Sequence, residues 1–224
     1  MRISRQRDPG HPQYTMLDEQ LEEVTTTQYL GVHLQNNLKW DHQTHYAAGK
    51  ATQVLNFLMR NFSNCTMTVK EKLYKALVRP HLQYASAAWN PGTKKNKDTL
   101  EGVQRRAARF VKSDFLKTSS VTTMMEELGW ETLEQMRIKT RVSTLHKIMY
   151  GQFDIDINKY TKPKPSRARR SHDRQLILYE NATAEPLRQS FFAEATAIWN
   201  ALPSTLATVE TPAAFKSGLA SSNI

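Results

Sequence analysis

The chain of 224 residues has a single cysteine, Cys65. That excludes an internal disulfide, and with it a zinc site built from several cysteines. Long apolar runs are also missing, since none approaches the ~20 residues that cross a bilayer. The opening Met1-Arg2-Ile3-Ser4-Arg5-Gln6-Arg7 lacks the apolar core of a signal peptide. These features predict no membrane partner and an intracellular protein, cytoplasmic or nuclear and not secreted. Glycine and proline are few and scattered, 8 and 9 residues, so no long low-complexity linker is expected.

Catalytic signatures are scarce too. The chain has no GxxxxGK[ST] loop, no GxGxxG and no GxSxG. No two aspartates are adjacent, whereas two-metal phosphoryl transfer needs closely spaced carboxylates to clamp both ions. Asp154 and Asp156 flank Ile155 and would point the same way in an extended segment, yet no other acidic motif stands near them. His42 and His45 lie one turn apart beside Asp41 without an evident third ligand. No cofactor, bound metal or small-molecule substrate is expected.

What is present is globular in balance: 39% hydrophobic and 23% charged residues. The net charge is +10, and it is localised. Residues 41–118 carry 14 basic and 5 acidic side chains, a net +9. Residues 1–40 and 119–160 are each at −1, and 161–224 at +3. A concentrated basic block suits a polyanionic partner, and equally suits solvated basic helix faces.

Strand signals occupy the first 35 residues, at Tyr14–Leu17 and Thr25–His33, with turn signals at Asp8-Pro9-Gly10 and Asp18-Glu19. From Asp41, a candidate N-cap, the period becomes helical. Ala47, Ala51, Val54, Leu55 and Leu58 share one face. A second helix begins near Thr68 with Val69, Leu73, Leu77 and Val78 apolar, and Pro80 should kink or end it after Arg79. A third spans about 97–112 on Leu100, Val103, Ala107 and Phe110. A short fourth helix stops at Gly129, and a fifth carries Ile138, Val142, Leu145 and Met149. Lys162-Pro163-Lys164-Pro165 should be extended, with a short strand at Gln175–Tyr179. Two more helices follow, near Glu185–Asn200 and Pro212–Ala220. The fold class predicted is mainly α with a small N-terminal β-hairpin or sheet (α+β) and about seven helices. The segments are 1–40, 41–118, 119–151, 152–183 and 184–224.

Two basic rows lie on neighbouring helices. Arg105, Arg109 and Lys112, with Arg106 alongside, stand opposite the apolar stripe of the third helix. Lys72, Lys75 and Arg79 share a face of the second. Cations at one-turn spacing suit successive phosphates and would release counterions on binding. An amphipathic helix with a basic outer face has the same pattern. Arg167, Arg169 and Arg170 form a further cluster in an expected loop. Tyr46, Tyr74, Tyr84, Trp89 and Trp130 could stack on bases, although their place beside apolar stripes fits core packing.

Five segments in order carry a resemblance. They are Gln28-Tyr29-Leu30-Gly31-Val32 with Leu38-Lys39-Trp40; Leu73–Pro80 leading to Tyr84-Ala85 and Trp89-Asn90-Pro91; Leu100–Phe110; Leu128-Gly129-Trp130-Glu131-Thr132-Leu133; and Ser190-Phe191-Phe192 with Trp199-Asn200-Ala201-Leu202-Pro203 and Phe215-Lys216. Together they resemble the region downstream of the palm in non-LTR (LINE- or jockey-like) retrotransposon reverse transcriptases, and they cover almost the whole chain. The family's Tyr/Phe-Ala-Asp-Asp motif has no counterpart here.

The resemblance therefore implies a non-catalytic fragment of an RNA-directed DNA polymerase, with Mg2+ belonging only to the full-length enzyme. It implies end-of-palm strands over 1–40, with Tyr29, Leu30, Gly31 and Val32 in a primer-grip-like hairpin. It also implies a thumb-like basic bundle over 41–118, whose Lys72, Lys75, Arg79, Arg105, Arg106, Arg109 and Lys112 would track an RNA/DNA template–primer. Strands without a palm to pack on would expose an apolar edge, so the alternative is self-association in a structural or protein-interaction remnant, or a decayed transposon product without nucleic-acid binding.

Overall fold

The computed structural model describes residues 1, 3, 13–165, 172–178 and 188–222. Three two-stranded antiparallel sheets and a majority of helix make it α+β, mainly α, the class expected from the periodicities. In chain order the strands are β1 (Thr15–Met16), β2 (Glu19–Gln20), β3 (Thr26–Tyr29), β4 (Val32–Gln35), β5 (Thr161–Pro163) and β6 (Leu176–Leu178). The helices are α1 (Asp41–Asn61), α2 (Met67–Leu73), α3 (Arg79–Gln83), α4 (Lys94–Lys112), α5 (Val121–Glu127), α6 (Leu133–Met149), α7 (Phe191–Ala201), α8 (Ser204–Ala207) and α9 (Pro212–Ser221). A π-helical segment, Tyr74–Val78, runs α2 into α3, and a 3-10 turn spans Ile157–Lys159. Asp8-Pro9-Gly10, the cluster Arg167, Arg169 and Arg170, and residues 185–187 of the expected sixth helix lie outside the described residues.

The two N-terminal hairpins are built alike. Leu17-Asp18 joins β1 to β2 and Leu30-Gly31 joins β3 to β4, with both residues of each pair at positive φ. Two left-handed residues in a two-residue loop make the turn whose twist matches that of paired strands. The first turn falls one residue earlier than the expected Asp18-Glu19. Gly31 takes φ +78 without strain, whereas Leu30 at φ +45 carries a side chain there.

α1 presents Ala47, Ala51, Leu55 and Leu58 to the first core, where Leu100, Val103, Ala107 and Phe110 of α4 meet them. Asp41 is not the N-cap. It is the first helical residue, and its Oδ1 accepts from Asn96 Nδ2 at 2.7 Å, which fixes the start of α1 to α4. α4 begins at Lys94, three residues ahead of the expected start, and Thr93 caps it by accepting from the Asn96 N–H.

The second helix departs most from expectation. Val69 and Leu77 are exposed, while Lys70 and Tyr74 are buried. Helical phase explains the change. The Arg79 N–H bonds to the Tyr74 carbonyl five residues back, inserting an extra residue in the turn before Pro80. Pro80, which has no N–H to offer, then sits in the first turn of α3, where none is needed. The chain therefore stays helical past Arg79 and changes phase. Lys70 Nζ donates to Ser113 Oγ at 2.6 Å and lies 5.3 Å from the centre of the Phe110 ring.

α6 joins two cores. Its start contributes Leu133 to the first; Val142 and Leu145 belong to the second, with Trp199, Leu202, Ala207, Phe215 and Leu219. Thr132 and Gln135 form a reciprocal capping box at its N-terminus. At the C-termini of α5 and α6, Gly129 (φ +61) and Gly151 (φ +68) close Schellman turns. The Schellman turn at Gly129 swings the chain from α5 into Trp130 and α6, and so places the site described next.

Candidate nucleic-acid interface

The expected site residues fall into three groups. The first gathers where the π-helical segment meets the α5–α6 turn. Lys75 and Arg79 line a cavity of about 170 Å3 with Tyr74, Gln104, Trp130 and Glu131. The Trp130 indole stacks on Tyr74 with ring centres 4.3 Å apart and planes 18° apart. Its Nε1–H donates to Glu71 Oε1 at 3.0 Å, and Lys75 Nζ lies 2.6 Å from the same oxygen. The Lys75 ammonium and the indole N–H hold the Glu71 carboxyl below its ordinary value. Behind the ring, Tyr74 Oη–H donates to Gln104 Oε1, and Gln104 Nε2 donates to the Glu131 carbonyl, each at 2.8 Å. Burial drives the Tyr74 phenol above the usual range, so it remains a donor at any physiological pH. This chain of bonds ties α4 to the turn and fixes Trp130 beside two cations. Arg79 has no side-chain hydrogen bond or ion pair among the described residues. Lys72 is exposed on α2 and does not line the cavity.

The second group lies on α4, and its four cations part company. Arg105 is exposed and unpaired among the described residues. Arg106 is exposed and its Nη2 donates to Asn56 Oδ1 of α1 at 2.9 Å. Arg109 closes the α4–α5 loop, donating to the carbonyls of Leu116 at 2.7 Å and Ser119 at 3.2 Å. Lys112 Nζ is 2.6 Å from Glu127 Oε2 on α5. None of the four lines the Lys75–Arg79 cavity. One cation without a partner among the described residues, one tied to α1 and two that hold the α4–α5 junction thus replace a uniform row.

The third group is the β3–β4 hairpin. Tyr29 is 66% exposed and Leu30 76%, while Val32 is buried against α1. Tyr84 Oη–H donates to the Leu30 carbonyl at 2.9 Å, and a Cβ on Gly31 would stand 3.2 Å from the Tyr84 ring. Tyr84 is therefore a strut for the hairpin tip. Of the other aromatics, Trp89 is buried, Tyr46 is exposed beside His33, and Trp130, stacked on the buried Tyr74, shares the cavity with the expected phosphate ligands Lys75 and Arg79.

Tyr84, Gln104 and Glu71 are position-setting residues that sequence periodicity does not mark, because each acts through a partner distant in the chain. Among the described residues no three His, Cys, Asp or Glu side chains are placed to hold a metal, and no helix is long and apolar enough to cross a membrane. Asp156 accepts from the Asn158 N–H at the 3-10 turn, and His45 Nδ1 lies 2.6 Å from the Asp41 carbonyl. Compared with known proteins, the chain matches no family model, no curated protein and no solved structure.

Proposed function

We propose that this chain binds nucleic acid without sequence preference and does not polymerise it. The ligand would be an RNA–DNA template–primer or a single strand, met in the cytoplasm or nucleus. Its resemblance to the post-palm region of non-LTR reverse transcriptases motivates the choice of ligand, and the absence of an adjacent aspartate pair motivates the choice of binding over catalysis. The observation that carries the reading is the cavity in which Lys75 and Arg79 flank Trp130, since phosphate-seeking cations beside a fixed indole are what a nucleotide requires. Exposed Arg105 and Arg106 extend the positive surface along α4.

Charge reversal at Arg105 and Arg106 tests it. Arg109 is left in place because it closes a loop. Arg105→Glu with Arg106→Glu should weaken binding to a labelled RNA–DNA primer–template at least about tenfold at low salt; unchanged affinity would count against the reading.

A protein-interaction role is the second reading. Tyr14, Met16, Leu17, Leu21, Tyr29 and Leu30 are all exposed large hydrophobic residues on the two N-terminal hairpins. A salt-insensitive oligomer that ignores nucleic acid, seen by light scattering, would favour it.

A further inference from the structure

The cavity beside Trp130 is one end of a longer trough. Glu131 and Met136 form a wall of that cavity and equally of a second, larger one of about 390 Å3 between α6 and α9. The second is lined on α6 by Met136, Lys139, Thr140, Ser143, Thr144 and Lys147, spaced as one helix face. Across from them stand Pro212, Lys216 and Leu219 of α9. Five cations therefore border the combined trough, namely Lys75, Arg79, Lys139, Lys147 and Lys216, against one lining carboxylate, Glu131. Lys139 is matched by Glu131 at 2.6 Å and Lys75 by Glu71. Arg79, Lys147 and Lys216 have no side-chain hydrogen bond or ion pair among the described residues, so their charge faces the trough uncompensated.

We infer that this trough is a track for single-stranded nucleic acid, running from Trp130 along α6 to Lys147 and Lys216. The inference rests on the nucleic-acid reading above and narrows its ligand to an unpaired strand. From Met136 to Lys147 the helix rises about 16 Å, the length of about five stacked nucleotides at roughly 3.4 Å each. The track has one fixed aromatic at its head and an apolar floor of Met136, Pro212 and Leu219 below a rim of ammonium groups and hydroxyls. Spaced cations with an aromatic platform are how proteins hold unpaired strands of any sequence. A duplex presents its bases to each other and has none to offer Trp130. Lys147 and Lys216 sit outside both basic rows, which end at Lys112, so the trough carries the interface into the second core.

The test is fluorescence anisotropy on the full chain, with single-stranded oligonucleotides of about twelve residues in DNA and RNA form, and the matching duplex. Wild type should prefer the single strands. Lys147→Gln with Lys216→Gln, with far-UV circular dichroism unchanged, should weaken them at least about tenfold and flatten the salt dependence by about 1.4, two phosphates at roughly 0.7 each. DNA and RNA arms that behave alike fit a phosphate-and-stacking site. Single-strand binding that survives both substitutions, or a preference for duplex, overturns the trough while leaving nucleic-acid binding standing. No binding of any probe by wild type at low salt removes both.

Discussion

Removing the Glu194 carboxylate should loosen the second core from the first. Arg141 of α6 is 2% exposed, and its Nε lies 3.1 Å from Glu194 Oε2 on α7. Its Nη1 donates to the Ala87 carbonyl, and its guanidinium centre stands 5.3 Å from the Phe191 ring. Burial already pulls the Arg141 pKa below its ordinary value, and Glu194 is the countercharge that opposes the shift. Glu194 also accepts from Asn90 Nδ2 at 2.9 Å, so one carboxylate joins α7 to α6 and to the loop before α4. Stripping one partner from a buried ion pair costs about 3–5 kcal/mol, because the remaining charge stays desolvated. Glu194 keeps 24% side-chain exposure, which lets some water reach the guanidinium and sets the expectation near the lower bound, about 3 kcal/mol. For a chain of this size that corresponds to a fall in Tm of about 6–12 °C in Glu194→Ala. Thermal melts followed by tryptophan fluorescence read both cores, through Trp89 in the first and Trp199 in the second. Adding Arg141→Met should recover much of the loss, since an apolar side chain of similar volume needs no countercharge. A Glu194→Ala Tm within about 2 °C of wild type, or a double variant less stable than the single by the full cost of a second lesion, would refute this view of the junction.

Two further outcomes follow from the geometry. Gly31→Ala should cost about 1 kcal/mol and lift the hairpin tip from Tyr84, because Gly31 holds φ +78 and its new Cβ would press on the Tyr84 ring at 3.2 Å; an unchanged urea midpoint would contradict it. Stability should decline on mild acidification. His146 is fully buried, accepts no compensating charge, and has its pKa lowered by burial, with Arg174 adding to the shift and its bond to the Val209 carbonyl opposing it. His33 is lowered in the same sense by burial and by His42. A folded value below the unfolded ~6.5 means the contribution is complete above that pH and is lost as the pH falls through it. Urea midpoints that fall between pH about 7.5 and 5.5 in wild type, and fall less in His146→Gln, would bear this out; identical slopes would not.

The amphipathic helices could be read from the sequence because their periods are local. The stripe Leu100, Val103, Ala107 and Phe110 enters the core intact, as do Val142 and Leu145. The second helix could not be read in the same way. A constant 3.6 period puts Val69 and Leu77 inward, and only the i-to-i−5 bond ahead of Pro80 reveals the phase change that buries Tyr74 and Lys70 instead. The basic rows show the same limit at the site. Spacing groups Arg105, Arg109 and Lys112, but Arg109 and Lys112 find their partners on the loop and α5, which follow α4 by an angle no single-helix pattern contains. Trp130 and Lys75 meet across 55 positions through Glu71, and Lys147 and Lys216 face each other across α6 and α9. Such pairs are set by how helices dock.

The decisive measurement is the salt dependence of binding to a labelled RNA–DNA primer–template. Phosphate contact by the cations at Lys75, Arg79, Arg105 and Arg106 predicts a log affinity that falls linearly and steeply with log salt, with a shallower slope in Arg105→Glu with Arg106→Glu. No binding at low salt, or an affinity indifferent to salt, would mean that the basic helix faces serve only to keep the protein in water.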